Sequence, residues 1–187
     1  LLDSPIQDGG QWDMFVNLIE KYGVLPKSEM AETNHSSKSG MMNYFITHKL
    51  REYAWILREA NKKGQNVIKL RGKKEKMLSE IFSILCKFLG NPPNKFDWRI
   101  RNKKNKFLIF NNLTPKVFYK KYIDVNLTDK VCLIHAPMSN KKFNELYTID
   151  FLGNVVGGNI IKYANVNIEE LKKATIKSIK NNEAVWF

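Results

Sequence analysis

The sequence predicts an α+β fold that is predominantly helical. Four stretches repeat apolar residues at helical spacing, the remaining apolar runs are short and β-prone, and Gly, Pro and Asn stand between them as breakers.

The first helix is expected over Gln11 to Tyr22. Trp12, Phe15, Val16, Ile19 and Tyr22 share one face, and Gly23 followed by Pro26 supplies the stop. Asp8-Gly9-Gly10 precedes it, a capping acid followed by two residues of free backbone geometry. Residues 32–40 are small and polar and read as a loop. A second helix is expected from Met41 to about Lys62, with Ile46, Leu50, Tyr53, Ala54 and Leu57 as its apolar stripe and Lys63-Gly64 as its end. A third runs from about Lys73 to Leu89 on Met77, Leu78, Ile81, Phe82, Leu85, Phe88 and Leu89, and stops at Gly90-Asn91-Pro92-Pro93. The pair reads as a helical hairpin joined by a basic turn holding Lys69, Arg71, Lys73, Lys74 and Lys76.

Phe96 to Arg101 alternates apolar with polar or charged residues. With Phe107 to Phe110 across a polar turn, it predicts a β-hairpin. Thr114-Pro115 opens a short helix through about Tyr122, with Pro at the first helical position. Val131 to His135 is expected as a buried strand and Leu146 to Ile149 as another. Ile168 to Ile179 is expected as a helix with Ile168, Leu171, Ala174, Thr175, Ser178 and Ile179 facing inward, and Ala184 to Phe187 as a terminal strand.

Composition narrows the class. The 187 residues are 43% hydrophobic and 12% aromatic, which excludes a disordered tail and suffices for a sizeable core. No run approaches the ~18 to 20 apolar residues that cross a bilayer, so no membrane partner is expected and a cytoplasmic location fits. Cys86 and Cys132, both in apolar runs, fit a reducing compartment. The N-x-S/T triplets at Asn34, Asn112 and Asn126 read as accidental in an Asn-rich chain. The formal charge of +13 predicts attraction to polyanions, or else a lysine-rich composition with no partner of its own. The missing initiator Met and the apolar run Ala184-Val185-Trp186-Phe187 at the end suggest cuts through a larger polypeptide.

The chemistry of catalysis is harder to find. A nucleophilic cysteine needs a nearby histidine and a third group that orients it. Cys86 lies on the apolar face of a helix, and Cys132 lies within Val131-Cys132-Leu133-Ile134; both read as small packed hydrophobes. His35, His48 and His135 have no metal-ligand spacing, so no metal and no cofactor is expected. His135 pairs poorly with Cys132, because i and i+3 on a strand point to opposite faces. Gly72-Lys73-Lys74 lacks the rest of a phosphate loop. Asp8, Asp13 and Glu20 read as a cap and a solvated helix face. No catalytic residue is assigned.

Positive evidence comes from Gln7-Asp8-Gly9-Gly10-Gln11-Trp12-Asp13-Met14 followed by Glu20-Lys21-Tyr22-Gly23-Val24-Leu25-Pro26-Lys27-Ser28. This run resembles the bleomycin hydrolase and aminopeptidase C family of papain-like cysteine peptidases. Further matches follow in order: Asn43-Tyr44, Leu50-Arg51-Glu52, Leu89-Gly90-Asn91-Pro92-Pro93, Leu113-Thr114-Pro115, Asn144-Glu145-Leu146-Tyr147-Thr148, Asn154-Val155-Val156-Gly157-Gly158 and Glu183-Ala184-Val185-Trp186-Phe187. The visible departure is Ala31 in Met30-Ala31-Glu32-Thr33, where the family has Pro.

The resemblance implies an internal piece of a papain-like fold with an inserted, hook-type helical subdomain and short β-hairpins. Residues 1–34 would be a piece of the helical lobe, 35–130 the inserted helices and hairpin, and 131–187 a strand-helix-strand return to the core. The family's catalytic Cys would precede Leu1, and its His and Asn would follow Phe187. Gly9 and Gly10 would form the cleft wall where an extended peptide pairs with backbone, Gln11 and Trp12 the pocket edge, and Phe187 the far side. The implied activity is removal of N-terminal residues through an acyl-enzyme, with the chain alone inert. The implied partners are a peptide substrate and a homohexamer. The alternative is a basic module in which Lys69 to Lys76 and Arg99 to Lys106 grip nucleic acid, or one whose helices mediate oligomerisation.

Overall fold

The computed structural model describes residues 3, 5–6, 9–123 and 125–186. It divides into two compact units, Leu1–Gly9 with Leu25–Thr114, and Gly10–Val24 with Pro115–Phe187. Helices and small sheets together make an α+β chain, as the patterning predicts.

The first unit is organised by a helical hairpin. Helix α2 (Asn34–Ser37) is a single turn, α3 is Gly40–Lys62 and α4 is Val67–Leu89. Met42, Ile46 and Tyr53 of α3 meet Ile81 of α4 in a core flanked by Leu50, Ile56, Met77, Ile84 and Leu85. The expected stripe on α3 is therefore correct at Ile46, Leu50 and Tyr53. On α4, however, Leu78 and Phe82 face solvent and Ile84 takes the inward place. Residues 32–40 are not all loop, because Thr33 and Ser36 form a reciprocal capping box that starts α2. Nor is the basic run a turn. The Asn66 side chain accepts the Lys69 N–H at 3.0 Å, and α4 begins six residues earlier than apolar spacing suggests. Lys69 to Lys76 thus lie on a helix, where Lys69, Lys73 and Lys76 share one side and Arg71 and Lys74 another.

Strands β1 (Phe96–Arg101) and β2 (Phe107–Leu113) form the expected antiparallel hairpin. Arg101 pairs with Phe107 and Phe96 with Leu113, and the register shifts between Phe96 and Trp98. Phe96 and Leu113 are buried, which anchors the open end of the ribbon.

The second unit contains α1 (Trp12–Tyr22), α5 (Pro115–Phe118) running on into a π-helical turn at Tyr119–Ile123, and the strands β3 (Cys132–Ile134), β4 (Glu145–Tyr147) and β5 (Tyr163–Asn165), with α6 (Ile168–Lys180). The N-cap of α1 is Gln11, with no side-chain cap; Asp8, expected to help cap it, lies outside the described residues. Strand β5 is central, parallel to β3 and antiparallel to β4. Sequence reasoning missed β5. It also placed a terminal strand over Ala184 to Phe187, where the described residues 184–186 belong to no strand. Val16 and Ile19 of α1, Phe118, Tyr119, Ile161 and Tyr163 are the buried apolar residues of this unit. Helix α6 is capped by Asn167, which accepts the N–H groups of Glu169 and Glu170. Its expected inward face is shallow, because Ile168 and Ile179 are exposed.

Gly23 ends α1 at φ +78°, and a Cβ there would lie 2.2 Å from the carbonyl carbon of Pro115. The helix end and α5 can approach this closely only because residue 23 has no side chain.

Candidate functional site

The residues singled out by the sequence lead into and begin α1. Gly9 and Gly10 are exposed and outside any helix or strand. A Cβ on either would meet nothing within 4 Å, and neither has the positive φ that demands glycine. Gln11 follows with extended backbone (φ −105°, ψ 156°), and its carbonyl accepts the N–H groups of Met14 and Phe15.

Trp12 is fixed by aromatic neighbours. Its ring lies 5.7 Å from Phe15 and 5.6 Å edge-on from Trp186, and Phe15 and Trp186 close the triangle at 5.6 Å. The indole N–H of Trp12 is shielded and has no partner among the described residues. Gly10, Gln11 and Trp12 thus lie together along the chain. Phe187, expected opposite them, is outside the described residues.

What the sequence did not reveal is how α1 is held. Asp13, Asn17 and Lys21 recur at intervals of four, so they line one side of the helix. Each grips backbone of one passing segment. The Asp13 carboxylate accepts the Lys162 N–H at 2.7 Å, and the Lys21 ammonium donates to the Val156 carbonyl at 2.9 Å. Between them the Asn17 amide accepts the Asn159 N–H at 2.8 Å and donates to the Asn159 carbonyl at 2.9 Å. Asn17 is only 4% exposed, and its pairing with one residue's backbone satisfies both ends of the amide. A Cβ on Gly158 would lie 2.9 Å from Asn17 Cγ, so this contact requires glycine at 158. Asp13, read from the sequence as a cap or a solvated residue, is instead a backbone clamp. The available signal was the i, i+4, i+8 polar row Asp13, Asn17 and Lys21 on the helix.

A second buried amide shapes the loop before β4. Asn165, fully buried, accepts the Ala136 N–H at 2.8 Å and directs its own N–H groups toward the carbonyls of Ala136, Lys141 and Lys142, each at 3.1 Å.

The titratable groups nearby favour structure over attack. Burial, and then the Asp13 carboxylate, push the Cys132 thiol up, opposite to the shift that makes a thiolate nucleophile. Burial also pushes the Tyr163 hydroxyl up, with Cys132 and Asp13 adding to it. The histidines are engaged locally. His135 Nδ1 lies 3.0 Å from the Val166 carbonyl with its ring stacked on Phe143, His48 Nδ1 lies 2.8 Å from Tyr44 O on its own helix, and His35 packs edge-on against Phe88. Among the described residues no group of three metal-ligating side chains converges, and no helix is long and apolar enough to cross a membrane.

The comparisons with known proteins agree with these motifs. The model of the Peptidase C1-like family matches residues 1–187. An aminopeptidase C from Listeria innocua is 51% identical over 187 residues, and human bleomycin hydrolase is 41% identical over 189. All of this chain is covered in both matches, yet it spans 42% of the length of each relative. The crystal structure of PepW from Lactobacillus rhamnosis matches 98% of this chain and 41% of its own at a TM-score of 0.93 and 45% identity. The chain therefore belongs to the Peptidase C1-like family.

Proposed function

We propose that this chain supplies one wall of the substrate cleft of a cysteine aminopeptidase that releases N-terminal residues from peptides. The observation that carries this reading is the state of Gly9 and Gly10. Neither packing nor backbone conformation within the described residues requires glycine at these positions. Backbone bare of side chain and open to solvent suits close approach by an extended peptide, whose main chain can pair with it. Gln11 and Trp12 would border the pocket beside the scissile bond, Trp12 held in orientation by Phe15 and Trp186, and Phe187 would line the far side.

In this reading the nucleophilic cysteine, its histidine and the orienting asparagine belong to the part of the family-length polypeptide outside this chain. The cysteine attacks the peptide carbonyl, the histidine takes the thiol proton and delivers it to the leaving amine, and water releases the acyl group. The raised Cys132 thiol supports assigning the nucleophile elsewhere. The inserted subdomain would be residues 35–130, with the flanking segments in the papain-like core; the helical hairpin is its natural hook, and a cytoplasmic hexamer is the proposed assembly.

The test is an aminopeptidase assay with aminoacyl fluorogenic substrates, on the chain alone and on the family-length protein. We expect no thiol-dependent turnover from the 187 residues. In the longer protein, Gly10→Val should raise KM at least ~10-fold by blocking peptide approach. Turnover by the chain alone, or an unchanged KM in Gly10→Val, would overturn the assignment.

A further inference from the structure

The unit built on the helical hairpin contains a concave site that the cleft-wall reading does not use. Glu29, Lys95, Phe96, Asp97, Arg99 and Asn112 line an open, solvent-facing depression of about 430 Å3. The strand irregularity builds it. Where β1 and β2 shift register between Phe96 and Trp98, the Asp97 carboxylate accepts the Asn112 N–H at 2.7 Å. Such bulges re-aim side chains. Asn112 sits there at φ +57°, and the lining includes the buried Phe96.

The charges are balanced and only partly used. Asp97 satisfies one oxygen on Asn112 and Glu29 one oxygen on the Ser28 hydroxyl at 3.0 Å. The other oxygen of each has no partner among the described residues. Lys95 and Arg99 have no ion-pair partner there either. Two cations and two carboxylates cancel locally, although the chain as a whole carries +13. A polyanion would be opposed by the carboxylates and a simple cation by the lysine and arginine. A ligand bearing both charges is opposed by neither.

We infer that this depression binds a small zwitterion, a free amino acid or short peptide, with its carboxylate on Lys95 and Arg99 and its ammonium on Glu29 and Asp97. The forked guanidinium of Arg99 suits a carboxylate in particular. Occupancy would place a product-like molecule in contact with the β-hairpin.

A 15N NMR titration of the 187-residue chain with dialanine tests this, with N-acetyl-dialanine, dialanine amide and inorganic phosphate as separate arms. We expect saturable shifts of the Asp97, Arg99 and Asn112 backbone amides with dialanine. Each singly charged analogue and phosphate should bind at least ~10-fold more weakly. Arg99→Gln and Glu29→Gln should each raise the dialanine Kd by about 10-fold, and Lys95→Gln is a second cation variant should Arg99→Gln alter the hairpin. The inference is overturned if these amides do not shift saturably, if phosphate or an analogue binds as tightly as dialanine, or if the variants leave Kd unchanged. Shifts at Gly10 to Trp12 would report the cleft wall separately, so the two readings fail independently.

Discussion

The two units are held together by different chemistry. In the first, α3 and α4 meet through Met42, Ile46, Tyr53 and Ile81, apolar contacts between helix faces. In the second, α1 is secured by Asp13, Asn17 and Lys21 gripping backbone of residues 156–162, and the approach to β4 is secured by Asn165. Apolar contact is non-directional and tolerates repacking, whereas a buried amide must find its partners in place or be left unsatisfied. The first unit should therefore respond to lost volume, and the second to lost hydrogen bonds.

The largest effect is expected in the hairpin. Ile46→Ala should cost about 2–5 kcal/mol in urea unfolding, and a loss below ~1 kcal/mol would show that the helices are held by something other than this core. Asn165→Leu comes next. It leaves the Ala136 N–H and three carbonyls without their partner, and should cost about 3 kcal/mol by the same measurement. A nearly neutral result would erase the contrast between the units.

Gly158→Ala sharpens the comparison. Its Cβ would collide with the Asn17 amide, so the substitution should cost about 1–3 kcal/mol, and Asn17→Ala alone a similar amount. Because the second change removes the group that clashes, the double variant should fall short of the sum by about 0.5–3 kcal/mol. Strict additivity would mean that the two residues do not share one contact.

The smallest effect belongs to an exposed ion pair. Lys130 beside Glu183, at 2.8 Å, holds its carboxyl below the usual carboxylate range. A depressed folded value stabilises the protein above the unfolded carboxylate pKa, and that contribution disappears as pH falls through the folded value. Glu183→Gln should therefore melt slightly below the parent at neutral pH and level with it in acid, as thermal scans across pH would show. A gap that widens in acid would reverse the sign.

The elements that could be read from the sequence are those whose side chains repeat along one helix or strand. Trp12 to Tyr22, the α3 stripe through Ile46, Leu50 and Tyr53, and the hairpin strands at Phe96 to Arg101 and Phe107 to Phe110 were all visible this way, although the second strand runs on to Leu113. The start of α4 was hidden because Lys69 to Lys76 looks like a charged turn, although lysine is a good helix former and Asn66 caps the first turn. The turn at Asn34–Ser37 was hidden inside a serine-rich stretch by the same preference for composition over capping. Tyr163–Asn165 was missed because three residues are too few for a period to show. Of the candidate site, Gly10 to Trp12 could be named from a motif. The Asp13, Asn17 and Lys21 row could not be assigned partners, since they lie some 135 to 149 residues away.

By itself the sequence determined the α+β class, the apolar stripe of α3 through Ile46, Leu50 and Tyr53, and the family, because these rest on local periodicity and on contiguous motifs. Only the tertiary structure decided which backbone Asp13, Asn17 and Asn165 would hold, why Gly23 and Gly158 must lack a side chain while Gly9 and Gly10 need not within the described residues, and that four charged residues gather around Phe96. Hydrogen bonds and steric contacts depend on positions in space that distant parts of the chain set jointly, and no local pattern encodes them.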